Sequence, residues 1–301
     1  MQSIGVSTQI EMKIKQTPEE FVVKEILDLK LEEGLYNYYR VTKKNWNTLD
    51  LVKEIAKRLH VKPKDIGYAG NKDRKAVTTQ YISFKKKITF VLKDVTFEFV
   101  GTGKERIHLG QLEGNEFIIT VRDLDKELKP IKTMINLFGP QRFSTQNATV
   151  GKFLITKQFK NACEALELPY EKNDYVGALR KHGLKKLKFY VHAYQSLLWN
   201  KLALVNEKEV LPILGYITEG NDYDEIMKEE GIEKKDFQMR SIREIGSEGT
   251  ERKRTIEIKD FESISYEEDD LNEGKMKHTV KFFLPKGSYA TVAIQSFIRK
   301  A

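Results

Sequence analysis

The sequence has little cysteine, proline and tryptophan, and it has no long apolar run. Its 301 residues include 1 Cys, 7 Pro and 2 Trp. The lone Cys163 excludes an internal disulfide framework and a multi-cysteine zinc site, and it indicates a reducing compartment. No apolar stretch approaches the roughly 20 residues of a bilayer-spanning helix, and residues 1–16 lack the apolar segment of a secretory signal. Five scattered histidines argue against zinc, so we expect a cytoplasmic protein without metal or membrane contact.

Charge is distributed unevenly along the chain. Lys+Arg outnumber Asp+Glu by 52 to 44, a net charge of +8. Residues 1–200 carry +12 (35 basic, 23 acidic), residues 201–274 carry −10 (11 and 21) and residues 275–301 carry +6 (6 and none). Basic surfaces bind polyanions by releasing counterions from phosphates, so RNA or DNA is the expected partner. The alternative is a Lys/Glu-rich surface of the heat-adapted kind, without a specific partner.

Local patterns predict an α+β fold. Phe117, Ile119 and Val121 alternate with polar residues that include Arg122, which is typical of a half-buried strand. Asn47-Thr48 is a candidate N-cap before apolar residues at helical spacing. Strands are predicted at 20–25, 36–41, 78–84, 95–100, 106–109, 116–122, 279–284 and 289–294, and helices near 51–60, 153–166 and 189–205. Close spacing of the strands favours antiparallel pairing, whereas the pattern of 206–274 is mixed.

The C-terminal strand pair suggests that the chain returns to the N-terminal sheet. We therefore expect one domain formed by 1–147 together with 276–301, and a second domain, 148–275, inserted between its parts.

One segment combines an acid with several bases between a turn and a strand. Gly70-Asn71-Lys72-Asp73-Arg74-Lys75-Ala76-Val77-Thr78 places Asp73 among cations, which favour the ionised carboxylate that a nucleophile or base requires. Taken alone, the same pattern also fits a surface turn with a screened ion pair. No nucleotide-binding glycine motif, metal-ligand cluster or Ser-His-Asp spacing accompanies it.

Six segments, in order, resemble the motifs of the TruD family of tRNA pseudouridine synthases, and the composition suggests an archaeal-type member. The segment 67–80 resembles its catalytic-aspartate signature A-G-x-K-D-x-x-A-V-T. The other five are Phe21-Val22-Val23-Lys24-Glu25, Gly114-Asn115-Glu116-Phe117, Phe138-Gly139-Pro140-Gln141-Arg142-Phe143, Tyr194-Gln195-Ser196-Leu197-Leu198-Trp199-Asn200 and Leu284-Pro285-Lys286-Gly287-Ser288-Tyr289-Ala290-Thr291. Ser144 replaces the Gly that usually follows the third of these five segments. The resemblance implies a pseudouridine synthase catalytic domain with antiparallel sheets flanked by helices, plus an inserted α/β TRUD domain.

The resemblance also implies an activity and a site. Such enzymes isomerise uridine to pseudouridine in tRNA, typically at position 13 in the D arm, without cofactor or metal. Asp73 would supply the catalytic carboxylate, either attacking C1′ or removing a 2′ proton to form a glycal. The target base must leave the stack to be reached, and Phe21, Asn115 and Tyr289 match the family's substrate-contacting positions.

Further site candidates follow from the same motifs. Phe117 lies two residues after Asn115 and would face the same side of a strand. Lys72 and Glu25 belong to motif segments, and Arg142 is a candidate partner for Asp73 because guanidinium binds carboxylate with two parallel hydrogen bonds. Each has a structural alternative: strand aromatics such as Phe21, Phe117 and Tyr289 are commonly core residues, and Asn after Gly is commonly a turn residue.

Phosphate contacts would come from basic runs. Candidates are Lys85-Lys86-Lys87 and the cations of 180–188, although such runs are also common as solvated faces.

Two other functions stay open at this point. The first is a catalytically silent protein that binds or folds tRNA in the same cleft. The second is an RNA-processing hydrolase, which lacks support because the sequence shows neither a metal cluster nor a His/Lys acid pair.

Overall fold

The computed structural model describes residues 13–143 and 146–301; the expectations about residues 1–12 and Ser144 lie outside the described residues. The strands are β1 Lys13–Ile14, β2 Phe21–Ile26, β3 Tyr36–Lys44, β4 Gly67–Tyr68, β5 Val77–Phe84, β6 Val95–Gly103, β7 Gly114–Leu124, β8 Thr133–Ile135, β9 Val210–Ile213, β10 Thr250–Lys253, β11 Thr255–Glu257, β12 Lys259–Glu268 and β13 Met276–Pro285. The helices are α1 Thr48–Leu59, α2 Pro140–Phe143, α3 Asn147–Ile155, α4 Phe159–Ala165, α5 Tyr175–His182, α6 Leu184–Val205, α7 Asp224–Glu230 and α8 Ala290–Lys300.

Within the described residues the main sheet contains nine strands, and this arrangement confirms the α+β class. Its order is β12-β13-β7-β2-β5-β3-β6, with β1 also paired to β7 and β4 to β5. The pairing of β2 with β5 is parallel, and the other pairings are antiparallel. Strand β7 therefore lies between strand β2 from the N-terminal part of the chain and the C-terminal strand β13, so the two parts meet in one sheet.

Helix α1 covers one face of this sheet, as its sequence predicts. The Asn47 side chain caps it by accepting a 2.8 Å hydrogen bond from the backbone N–H of Asp50. Leu51, Val52, Ile55 and Leu59 are buried against strand residues in a single cluster. This packing fixes the turn before α1, which lies next to the Asp73 segment.

The chain divides into two units. The first runs up to Lys132 and resumes with Glu257–Ala301, and the second is Thr133–Ile256. The sequence predicts the domain boundaries at 147/148 and 275/276 instead. The difference at the second boundary arises because β12 pairs with β13 in the main sheet, a long-range pairing that local patterns do not reveal. As functional domains, 1–147 with 276–301 and 148–275 stay predictions.

The second unit is built around α6. Tyr194, Leu198 and Trp199 of this helix are almost fully buried in a core to which α3 also contributes. Cys163 is fully buried in the same core, and burial raises the pKa of its thiol. Strand β9 pairs with β10. Among the described residues, no helix has the length and hydropathy to cross a bilayer.

Three local predictions are wrong. The segment 289–294 is not a strand, because Ala290, Ala293, Ile294 and Phe297 recur at helical spacing and are buried as one face of α8. The segment 106–109 is a loop, and its backbone N–H at Ile107 is bound by the Ser83 hydroxyl.

The predicted helix 153–166 is interrupted. It is divided into α3 and α4 at Lys157, whose φ of 61° is left-handed.

Arg122 also differs from its expected exposed position. It is only 7% exposed and forms ion pairs with Glu20, Asp269 and Asp270. The alternation in β7 therefore ends in a buried charge cluster, because a charged residue can be buried when carboxylates compensate it.

Candidate active site

Asp73 lies on the segment between β4 and β5, and its carboxylate faces solvent. Lys15, directly after β1, places its Nζ 2.7 Å from Asp73 Oδ2. The same Nζ lies 4.0 Å from the centroid of the Phe21 ring. The Lys15 side chain is 13% exposed, whereas that of Asp73 is 53% exposed. One lysine thus connects the carboxylate to the aromatic face while the carboxylate stays accessible.

Side chains from β3 and α1 hold the Asp73 segment in place. The buried Lys43 ammonium donates hydrogen bonds to the carbonyls of Trp46 and, at 3.2 Å, Asp73. The backbone N–H of Lys72 donates to Thr48 Oγ1 at 2.8 Å. Burial lowers the pKa of Lys43 to about 8, although the charge of Asp73 raises it and that of Lys72 lowers it further. The backbone around Asp73 is therefore anchored on both sides of the carboxylate.

A buried polar trio lies on the sheet beside this segment. Lys72 Nζ is 2.7 Å from Glu25 Oε2 and 2.7 Å from Asn115 Oδ1. The Glu25 side chain is fully buried and that of Lys72 is 6% exposed. Glu25 Oε1 accepts a further hydrogen bond from the backbone N–H of Tyr81. Strand register explains the proximity, because Glu25 of β2 lies opposite Asn115 of β7.

The aromatic candidates occupy different environments. The Phe21 and Phe117 rings meet edge to face at 6.2 Å, and Phe117 stacks on Phe282 at 5.6 Å. Phe117 is 7% exposed and packs in the apolar core. Its packing therefore matches the alternative that this strand aromatic is a core residue. Tyr289 is half-buried just before α8. It follows β13, whose last residues, Leu284 and Pro285, lie opposite Asn115 and Gly114.

The predicted residues therefore fall into groups. Lys15 joins Asp73 to Phe21, while Glu25, Lys72 and Asn115 contact one another. Arg142 lies in the second unit, where its Nε is 3.4 Å from Ser196 Oγ and its guanidinium lies 5.1 Å from the Phe189 ring centroid. Its pairing with Asp73 stays a prediction.

Sequence reasoning missed Lys15 and Lys43. Each is one cation in a chain with 52 Lys+Arg, and neither lies in a motif segment. Lys43 lies in β3 beyond the predicted end of that strand at residue 41. The local sequence pattern therefore does not predict that Lys43 is buried. The described residues contain no group of three or more His, Cys, Asp or Glu side chains arranged to hold a metal.

A basic groove of about 910 Å³ lies within the second unit. Its lining includes three cations, Lys188, Arg240 and Arg243, together with His192 and one carboxylate, Glu248. No carboxylate among the described residues pairs with Lys188, Arg240 or Arg243. Burial lowers the pKa of His192, and the charges of Arg142 and Lys188 lower it further. Of the predicted phosphate contacts, Lys188 lines the groove, whereas Arg180 pairs with Glu244 and Lys86 donates to the Leu59 carbonyl.

The fold and this geometry define an α+β protein with an accessible carboxylate held by a lysine. A family model, tRNA pseudouridine synthase D (TruD), matches residues 4–167 and 210–297. A "Probable tRNA pseudouridine synthase D 2" from Methanocaldococcus jannaschii is 30% identical, over 94% of this chain and 91% of that protein. A "Probable tRNA pseudouridine synthase D" from Methanococcoides burtonii is 27% identical, over 95% and 93%. The chain therefore belongs to the tRNA pseudouridine synthase D family and is an isomerase.

A solved structure supports the same fold. The crystal structure of the "Putative tRNA pseudouridine synthase D (TruD)" from Methanosarcina mazei has a TM-score of 0.74, covering 98% of this chain and 95% of that chain at 24% identity. The alignments with the two archaeal relatives extend over 389 and 409 residues. Because these lengths exceed 301 residues, the relatives carry segments without a counterpart in this chain.

Proposed function

We propose that this chain isomerises a uridine in the D arm of tRNA, at position 13, with Asp73 as the catalytic carboxylate. The observation that carries the proposal is the position of Asp73: within the family signature, exposed, and paired with a lysine that also lies on the Phe21 ring. An accessible, oriented carboxylate is what either attack at C1′ or removal of a 2′ proton requires.

The reaction needs no change of oxidation state. The C1′–N1 bond breaks, the uracil turns, and a C1′–C5 bond forms; C5 loses a proton and N1 gains one. Uracil must first leave the base stack. Phe21, Asn115 and Tyr289 are our proposed substrate contacts, because the first two flank the Asp73 segment and Tyr289 follows the strand end paired with Asn115. Phe117, deeper in the sheet, would support Phe21 from behind.

The tRNA body would bind through phosphate contacts. The unpaired cations Lys188, Arg240 and Arg243 support this part of the proposal, since phosphate contacts position an RNA without reading its sequence. A tRNA substrate also agrees with the expected cytoplasmic location.

The decisive experiment compares wild type with Asp73→Asn on unmodified tRNA transcripts, with chemical mapping of pseudouridine. We expect D-arm pseudouridine from wild type, none from Asp73→Asn, and tRNA affinity within about threefold for both. Asp125→Asn is the matched control, because Asp125 is also an exposed aspartate paired with one lysine, Lys275. It should retain full activity.

Two results would contradict the proposal. Product from Asp73→Asn at the wild-type rate would remove Asp73 from the chemistry. Tight tRNA binding by folded wild-type protein without any pseudouridine would favour the silent tRNA-binding protein. A transcript with cytidine in place of uridine 13 tests the position, since product elsewhere in that transcript would refute it.

A further inference from the structure

The orientation of the Asn115 side-chain amide is dictated by its neighbour. An ammonium group has three donors and no acceptor. Because Lys72 Nζ is 2.7 Å from the Asn115 side chain, the atom facing it must be the carbonyl oxygen Oδ1. The ambiguity that usually attends an asparagine amide is thereby removed on chemical grounds. The amide nitrogen Nδ2 must point away from Lys72.

Lys72 itself has little freedom to move. Its ammonium lies between Glu25 Oε2 and Asn115 Oδ1, and its backbone N–H is bound by Thr48. Glu25 is held in turn by the Tyr81 N–H. An ion pair buried to this degree resists rearrangement, because separating it would leave an uncompensated charge away from water.

The Asn115 Nδ2 group is available, since it is not one of the fully buried side-chain atoms that lack a partner among the described residues. Asn115 is half-buried, and its Nδ2 makes no hydrogen bond with any other described residue. Lys72 is also the residue next to Asp73, so the same short segment carries the carboxylate and the group that orients Asn115. The geometry therefore offers an N–H donor, and not an acceptor, beside the Asp73 segment.

We propose that Lys72 is a positioning residue that holds Asn115 as a hydrogen-bond donor to a carbonyl oxygen of the flipped uracil. This inference rests on the proposed function, and it adds a direction of hydrogen bonding and a role for the buried ion pair. Uracil carries two such acceptors, O4 and O2. A donor aimed at O4 discriminates against cytosine, which has an amino group there, whereas a donor aimed at O2 orients the ring only.

The first test is Asn115→Asp. The carboxylate keeps the acceptor that Lys72 requires and, when ionised, has no donor, but it also adds a negative charge beside Glu25, so denaturant unfolding must first show that the variant is folded. In the folded variant the single-turnover rate should fall about tenfold or more, the loss of one well-placed hydrogen bond. The tRNA dissociation constant should stay within threefold. If Asn115 only supports the fold, Asn115→Asp will react at the wild-type rate, and the proposal fails.

The second test assigns the acceptor. Transcripts carrying 4-thiouridine or 2-thiouridine at the target replace one carbonyl oxygen with a weaker acceptor. We expect one of the two thio substitutions to lower the reaction rate of wild type. The same substitution should lower the rate of Asn115→Asp by less, because that variant has already lost the hydrogen bond from Nδ2. Coupling with 4-thiouridine identifies O4 and coupling with 2-thiouridine identifies O2. Equal slowing of both proteins by each analogue would overturn the proposal.

The third test isolates Lys72 without stranding a buried charge. Glu25→Gln/Lys72→Gln retains an amide donor beside Asn115 Oδ1, whereas Glu25→Gln/Lys72→Met removes it; both remove the ion pair. Among variants that unfold at similar denaturant concentrations, the Met variant should have a single-turnover rate about tenfold below that of the Gln variant, and it should show weaker coupling to the thio analogue. Equal rates in the two double variants would refute a positioning role for Lys72.

These outcomes are distinct from failure of the proposed function. If wild type made no pseudouridine, the proposed function would fail and there would be no reaction rate for the three tests to compare. If Asp73→Asn abolished product but Asn115→Asp did not slow the reaction, the function would stand and the assignment of Asn115 and Lys72 would fall.

Discussion

At the scale of single residues, the site is organised by lysines that differ in role. Lys15 contacts the Asp73 carboxylate, Lys43 binds the Asp73 backbone carbonyl, and Lys72 binds Glu25 and Asn115. A carboxylate next to a fixed cation is held in one orientation without being buried, so it keeps access to a substrate. The signature segment thus works together with residues far from it in sequence.

The Lys15 contact gives a direct prediction. Lys15→Met removes the cation that orients Asp73, and we expect turnover to fall by roughly 100-fold, the scale of a misplaced reacting group. Stability should change by less than about 1 kcal/mol, because the partner carboxylate is exposed.

Lys24→Met is the matched control, since Lys24 is another lysine of the same region, paired with Glu116. Similar single-turnover rates for Lys15→Met and Lys24→Met would show that Lys15 does not orient the carboxylate.

At the scale of elements, both units use buried or half-buried carboxylates to join segments. In the first unit, Arg122 joins β7 to Glu20 and to the segment after β12. In the second, Glu230 at the end of α7 accepts hydrogen bonds from Lys152 of α3 and from Tyr194 and Lys201 of α6. Burial alone would raise the pKa of Glu230, but these donors outweigh it and lower the pKa to about 2.

This carboxylate predicts an acid-dependent stability. A pKa lower in the folded state than in the unfolded state stabilises the fold above the unfolded value of about 4.5 and less as pH falls toward 2. We expect Glu230→Gln to lower the free energy of unfolding by about 1–3 kcal/mol at pH 7, with the difference from wild type shrinking between pH 4.5 and 2.

Denaturant unfolding at several pH values measures this difference, with the exposed neighbour Glu229→Gln as the control. A difference that is constant from pH 7 to pH 3 would contradict the assignment to the Glu230 charge.

At the scale of the whole molecule, the position of unpaired cations is more informative than the net charge. The net charge of +8 is modest, and many surface cations are neutralised by carboxylates. Lys188, Arg240 and Arg243 instead share a groove with one carboxylate, Glu248, which accepts a hydrogen bond from Tyr216 and, among the described residues, forms no ion pair with these cations. Unpaired cations grouped in this way are where counterion release on binding RNA is expected.

The groove predicts a change in salt dependence. Arg240→Gln/Arg243→Gln should weaken tRNA binding about tenfold at moderate salt and lower the slope of log K against log salt by about 1.4–1.8, the loss of two phosphate contacts. The rate at saturating tRNA should not change, because phosphate contacts position and do not react.

Lys185→Gln/Lys186→Gln removes two charges from the same α6 helix outside the groove. If both double variants change the slope equally, the groove has no special role and general surface charge accounts for binding.

The sequence by itself determined the local parts of this protein. The cap at Asn47, the alternation in β7 and the ordered motif segments depend on residues near one another in the chain, where period and propensity are informative. They were sufficient to predict the α+β class, the antiparallel strands of the main sheet and the family. The helix α8 was missed because its helical spacing extends beyond the short β-branched stretch at its start.

Only the tertiary structure decided which residues meet. Lys15 reaches Asp73 across 58 residues of chain, and Lys72 reaches Asn115 across 43. The burial of Arg122 depends on carboxylates from two distant segments, 102 and 147 residues away. Such contacts follow from the order and register of strands in the sheet, which local spacing does not encode. The sequence therefore identifies the candidate carboxylate, and the sheet supplies the side chains that contact it.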